Sequence, residues 1–239
     1  MAAFVEYLQD HGHPGLRIDR WPDDENRDTP EIDAIAGPFA IEHTSIDTLP
    51  NQRRDDDWFT RVVGGLKEEL SPLLDFRISV GLEWTAIDRG QDWNGIRHAL
   101  RRWVLTCAAE APDGYSVLED IPNVPFPLHV WKQSHRPPCA LFGRLKPEDE
   151  SLPERIGTQL RGKASKLGRY RQRGKTTILL VESTDWVLMN ATKMFKAMRI
   201  AFPAGLPPGV DQVWYVDSFP NGSVYFWDFT TELAASPSR

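Results

Sequence analysis

Cysteine is almost missing from this 239-residue chain: Cys107 and Cys139 are the only two. That is too few for a disulfide framework or a cysteine-built zinc site. Long apolar runs are missing as well. No stretch reaches the roughly 18 residues of a membrane-spanning helix, and the opening Met-Ala-Ala-Phe-Val-Glu-Tyr-Leu-Gln-Asp lacks the basic-then-apolar order of a secretory signal. These absences predict a cytoplasmic protein with both thiols free and no membrane partner. Gly-x-Ser-x-Gly does not occur, which leaves a serine hydrolase unsupported. The run from Gly168 to Thr176 has one residue too many between its glycines for a P-loop, and it follows a helix instead of opening one. His11 and His13 have no downstream Cys or His group to complete a zinc set. An excess of positive charge is also missing. The net charge of −6 argues against broad electrostatic binding of nucleic acid. The charge is patchy, however: acid gathers at 23–25 and 55–57, whereas 161–175 is dense in Lys and Arg and free of acid.

What is present is the composition of a folded globule, with 41% hydrophobic residues and nine tryptophans. Core packing is the default expectation for Trp84, Trp93, Trp103, Trp131, Trp186, Trp214 and Trp227, and Trp21 and Trp58, beside acidic loops, are candidates for base stacking. Patterning predicts a helix over 2–10 and strands near 16–21, 77–87, 176–182, 212–217 and 223–229. Further helices are expected at 53–70, 92–111, 154–173 and 185–200. The proline-rich segment 121–147 reads as loops and edge structure, and 234–239 as a disordered tail.

The richest stretch is 30–47, Pro-Glu-Ile-Asp-Ala-Ile-Ala-Gly-Pro-Phe-Ala-Ile-Glu-His-Thr-Ser-Ile-Asp. It reads as two apolar strands about a Gly37-Pro38 turn of type II′, in which only the first central residue needs a positive φ. A two-residue loop sets Ala36 opposite Phe39, Ile35 opposite Ala40, Ala34 opposite Ile41 and Asp33 opposite Glu42. Like charges directly opposed destabilise a pair. Either these carboxylates lie solvated on an edge hairpin, or a hard cation such as Mg²⁺ or Mn²⁺ sits between them.

The segment 154–173 reads as an amphipathic helix with Ile156, Leu160, Leu167 and Tyr170 on one stripe. Lys163 falls in the middle of that stripe and Lys166 on its flank. A lysine there either snorkels or meets a partner, because a buried unpaired ammonium is expensive. The helix leads into Thr-Thr-Ile-Leu-Leu-Val-Glu (176–182), a continuous apolar run of the kind found in a central strand buried on both faces.

An Asp on one strand, a tight turn and an apolar strand bearing Glu-x-Thr resemble the catalytic hairpin of the PD-(D/E)XK, or restriction-endonuclease-like, nuclease superfamily. Here Pro30-Glu31-Ile32-Asp33 stands for the Pro-Asp pair and Thr44 for the usual Lys. The following helix resembles the one that, in several branches, carries a Lys, or a Gln or Lys followed by Tyr, into the site; Gln159-x-x-x-Lys163 and Lys166-x-x-x-Tyr170 echo it. The resemblance implies a mixed α/β fold with a restriction-endonuclease-like core over 1–233, in which 50–150 is an insertion or elaboration. It implies metal held by Asp33, Glu42 and the main-chain carbonyl of His43, with Lys163, Lys166 and Thr44 catalytic and Glu31, Glu6 and Tyr170 in support. The implied activity is hydrolysis of phosphodiester bonds, in DNA first, by a protein that can work as a homodimer. The alternative is a catalytically silent nuclease fold that binds or regulates.

Overall fold

The structure is a computed structural model that describes residues 1–26, 28–147, 149–185, 187–219 and 221–235. The chain is mixed α/β, with two mixed sheets flanked by helices. Its contacts divide it into two compact units. Residues Met1–Pro50 and Asp149–Arg239 form the first, and Asn51–Glu148, which interrupts it in sequence, form the second. Among the described residues no helix is long and apolar enough to cross a membrane.

The first unit opens with helix α1 (Ala2–Asp10), strand β1 (Ile18–Arg20) and a short helix α2 (Pro22–Glu25). The hairpin follows as β2 (Ala34–Ala36) and β3 (Phe39–Ser45). Its register is Ala34 to Ile41, Ile35 to Ala40 and Ala36 to Phe39, as the two-residue loop requires. Gly37 has φ +51°, a conformation glycine adopts freely. Two side chains clamp the turn: Lys175 donates to the Gly37 carbonyl (2.6 Å) and Asp19 accepts from its N–H (2.8 Å).

After the second unit the chain returns as α6 (Leu152–Arg171), β8 (Thr176–Ser183), α7 (Ala191–Ala201), β9 (Gln212–Ser218), β10 (Val224–Asp228) and α8 (Thr230–Ala234). The sheet order is β1-β2-β3-β8-β9-β10. β8 is parallel to both β3 and β9, while the outer pairings are antiparallel. Its central place explains the unbroken apolar run, because Ile178 and Leu180 are buried against α1 and Leu179 and Val181 against α6 and α7. β3 divides likewise. Ile41 joins Phe4, Val5 and Leu8 of α1, and Ala40 faces α6, so Glu42 and Thr44 share the α6 face by strand alternation. The helix expected from 185 starts only at 191, because Asn190 caps it by accepting from the Lys193 N–H (2.9 Å). Ala234, the first residue of the expected tail, ends a helix, and 236–239 lie outside the described residues.

The second unit comprises α3 (Gln52–Val63), α4 (Leu66–Leu70), β4 (Arg77–Leu82), α5 (Trp93–Thr106), β5 (Gly114–Leu118), β6 (Leu128–Gln133) and β7 (Cys139–Arg144). Its sheet runs β5-β6-β4-β7. The single helix expected over 53–70 is broken at Gly64-Gly65, where Gly65 takes φ +77°. The proline-rich stretch is corrected in part. Its prolines lie outside the strands, so β6 pairs on both sides and sits inside the sheet, while β7 is an edge. The core default also fails for two tryptophans: Trp131 is 55% exposed and Trp227 is 49% exposed. Trp186 lies outside the described residues.

Candidate active site

Helix α6 brings its polar stripe to the hairpin. At 100° per residue, positions 155, 159, 163, 166 and 170 fall within an arc of about 80°, beside the apolar stripe of Ile156, Leu160 and Leu167, which is buried against the sheet. Gln159 donates to Thr44 Oγ1 (2.7 Å) and to the Ser45 carbonyl (3.0 Å). Lys163 Nζ lies 2.6 Å from Glu42 Oε1, and Lys166 Nζ lies 3.1 Å from the same oxygen. Lys166 also donates to the Glu31 carbonyl (2.7 Å), and Tyr170 donates to Glu31 Oε2 (2.8 Å). Lysines from the helix thus reach the strand that carries Glu42 and Thr44.

Glu42 is fully buried. One oxygen serves two ammonium groups, and the other, Oε2, accepts no hydrogen bond from the described residues. Burial pushes its carboxyl above the usual carboxylate range. The Asp33 charge adds to that shift, and Lys163 and Lys166 oppose it. Asp33 is half-buried, and its Oδ2 accepts from the His43 main-chain N–H (2.6 Å), which fixes it across from β3. The two carboxylates, the orphaned Oε2 and the His43 carbonyl supply only hard oxygens, the donors that Mg²⁺ and Mn²⁺ take. Among the described residues no group of three or more His, Cys, Asp or Glu side chains converges as a metal cluster. An ion here would rest on two side chains, main-chain oxygen and water.

The remaining sequence candidates fall in different places. Glu31 and Tyr170 join the contact network, and Thr44 is buried within it. Glu6 is exposed on α1, whose buried residues pack on the opposite face of the sheet from Glu42. The His43 side chain points to that same opposite face. Its Nε2 lies 2.8 Å from Glu182 Oε2, and Ser218 donates to Glu182 Oε1 (2.6 Å). The hydrogen bond from His43, with help from Ser218, holds the Glu182 carboxyl down at about 2 against burial.

The chain matches no protein-family model, no curated protein and no solved structure.

Two contributors escaped the sequence reading. Arg155, on the same helical stripe, donates to the carbonyls of Asp47 (3.0 Å) and Thr48 (2.6 Å) and to Asp149 Oδ2 (2.9 Å). Its spacing of four from Gln159 was the available signal. A cavity of about 290 Å³ shares Glu31 and Tyr170 with the site and is also lined by Arg20, Asn26, Arg173 and Lys175. It joins residues from distant parts of the chain and has no local sequence signature.

Proposed function

We propose that the first unit is a restriction-endonuclease-like, metal-dependent nuclease that hydrolyses phosphodiester bonds, with DNA as the substrate. The observation that carries this reading is that Lys163 and Lys166 both reach Oε1 of the buried Glu42, whose Oε2 accepts no hydrogen bond from the described residues, while the His43 N–H fixes Asp33 across from the same strand. The order of helix, antiparallel three-stranded meander, helix and parallel strand supports it as well. Mg²⁺ or Mn²⁺ held by Asp33, Glu42 and the His43 carbonyl would polarise the scissile phosphate and lower the pKa of a bound water.

The chain's own groups do the rest. Lys163 is 29% exposed at its side chain and Lys166 19%; both can turn from Glu42 toward charge that develops on a phosphate oxygen. Gln159 holds the Thr44 hydroxyl on the same face of β3, where it can hydrogen-bond an attacking water. Tyr170 fixes Glu31, so the loop carbonyl that receives Lys166 stays in place. The cavity beside Glu31, where Arg20 pairs with Glu25, offers Arg173 to a flanking phosphate.

A second reading, a catalytically silent fold of the same kind, draws support from Glu42 already holding both lysines. One experiment separates the two: cleavage of plasmid and of short duplex DNA in millimolar Mn²⁺, by wild type and by the Asp33→Ala, Glu42→Ala double variant. Metal-dependent cutting that is lost in the double variant is the expected result. Cutting that survives in it refutes the assignment, and no cutting by either protein favours the silent fold.

A further inference from the structure

At the other edge of the same sheet, a cavity of about 450 Å³ is lined by Asp217, Phe219, Asn221, Ser223, Tyr225 and Trp227. Tyr225 pairs with Asp217 and Trp227 with Tyr215 across the antiparallel ladder, so all four side chains emerge on one face of the sheet. Tyr225 and Trp227 are 55% and 49% exposed, although large aromatic rings on a strand normally seek cover. Two residues apart on one strand, their Cα atoms are about 6.8 Å apart at ~3.4 Å per residue, a backbone spacing that can admit one planar ring between the two side chains. Phe219 stands edge-on to Tyr225, with centroids 5.7 Å apart and ring planes at 82°, and closes one side.

The polar groups are placed just as specifically. Asp217 is only 7% exposed, and the hydrogen bond it receives from the described residues comes from the Tyr215 hydroxyl at 3.3 Å, a long one. Burial pushes its carboxyl above the usual range, so it gains from donors that a ligand brings. Asn221 Oδ1 accepts from the Ser223 N–H (3.0 Å), which leaves the amide N–H groups of Asn221 as donors at the rim.

A flat ring between two aromatic faces, N–H donors for a buried carboxylate and an acceptor for an amide describe one nucleobase edge better than the others. Guanine carries adjacent N1–H and 2-amino donors beside the O6 acceptor. Adenine turns an N1 lone pair toward the same carboxylate. We propose that this cavity binds a guanine base, stacked between Tyr225 and Trp227, with N1–H and the 2-amino group on Asp217 and O6 on Asn221.

The test is titration of the full-length protein with guanosine, in EDTA, followed by tryptophan fluorescence and calorimetry, with adenosine, inosine and choline as comparison ligands. Guanosine carries no phosphodiester and the titration contains no metal, so its outcome is independent of hydrolysis at Asp33 and Glu42. Guanosine should bind with adenosine clearly weaker, inosine should lose affinity for want of the 2-amino group, and Asp217→Asn should remove the preference. Trp227→Ala, a change at an exposed site, should weaken guanosine by about 5- to 150-fold, the range for loss of one stacked base. No binding at millimolar guanosine, equal binding of adenosine, a preference for choline, or unchanged affinity in Trp227→Ala overturns the proposal.

Discussion

Replacing Glu42 with Gln should make the metal-free protein more stable. Lys163 and Lys166 stand 2.6 and 3.1 Å from one Glu42 oxygen. Each pair attracts by about 5–6 kcal/mol at an effective dielectric constant of ~20. Against that stand the desolvation of three ions at several kcal/mol apiece and repulsion from Asp33. The balance is visible in Glu42 itself, whose carboxyl is pushed up despite two ammonium neighbours, so burial outweighs attraction. A neutral amide of the same shape keeps an oxygen for Lys163, and both lysines are exposed enough to recover water. Relief of such functional strain is commonly worth about 0.5–2 kcal/mol, or a rise in melting temperature of about 1–8 °C for a protein of this size. The pH dependence has a definite sign. Because the folded carboxyl lies above its unfolded value of 4.5, the folded state keeps a proton that the unfolded state has released. Wild-type stability therefore falls as pH rises from 4.5 through the folded value, and Glu42→Gln lacks that fall. Melts at pH 7 in EDTA and in millimolar Mn²⁺ decide the matter. Wild type should gain about 2.7 kcal/mol at 100 times the dissociation constant, whereas the variant should start higher and gain nothing. A variant that melts well below wild type in EDTA would make Glu42 a structural anchor and refute the reasoning.

Three other outcomes follow from the same geometry. Lys163→Met should lower cleavage by about 10²- to 10³-fold with little change in the melt; unchanged cleavage transfers the role to Lys166 or removes it. Glu182, held at about 2 instead of 4.5 by His43 and Ser218, contributes stability that is present in full above pH 4.5 and is lost as pH falls from there toward 2. The contribution is about 3 kcal/mol, and urea midpoints at pH 5, 4 and 3 should fall less steeply in Glu182→Gln. Gly209→Ala should cost about 1–3 kcal/mol, because φ is +86° and a Cβ there would meet the Gly168 backbone at 3.0 Å. Gly174→Ala, at φ +79° in open space, should cost less, and the difference between their melts isolates the contact.

Local features were the readable ones. Gly37 followed by Pro38 allows one short loop, and from that loop the register of β2 on β3 follows by counting. The period of α6 placed Lys163 and Lys166 near its buried face without naming a partner, since the partner is set by which strand the helix covers. Pairings between distant segments left little trace. His43 meets Glu182 because β3 and β8 lie parallel in register, a relation that no spacing in the sequence encodes. β5 was missed for a different reason. Its Tyr115 and Val117 face outward, 63% and 44% exposed, and only Leu118 packs on the core, so most of its apolar residues mark the wrong face of the strand. The misjudged Trp227 lies on an edge strand, on the same face as the buried Tyr215, yet its ring stays 49% exposed.

The position of the lysines depends on how α6 is held. Arg155 binds the carbonyls of Asp47 and Thr48, just after β3, while Tyr170 and Lys166 bind Glu31, just before β2. These anchors are 15 positions apart, about 22 Å along a helix, and they grip the two chain segments that flank the hairpin. Between them Gln159 holds Thr44, and the hydrophobic stripe of Ile156, Leu160 and Leu167 presses on the sheet. A helix fixed at both ends and along one side cannot slide or roll without breaking several buried polar contacts, each worth roughly 0.5–1.5 kcal/mol. A lysine on such a helix is therefore as well placed as one on the strand itself, and Lys163 holds its ammonium 2.6 Å from Glu42.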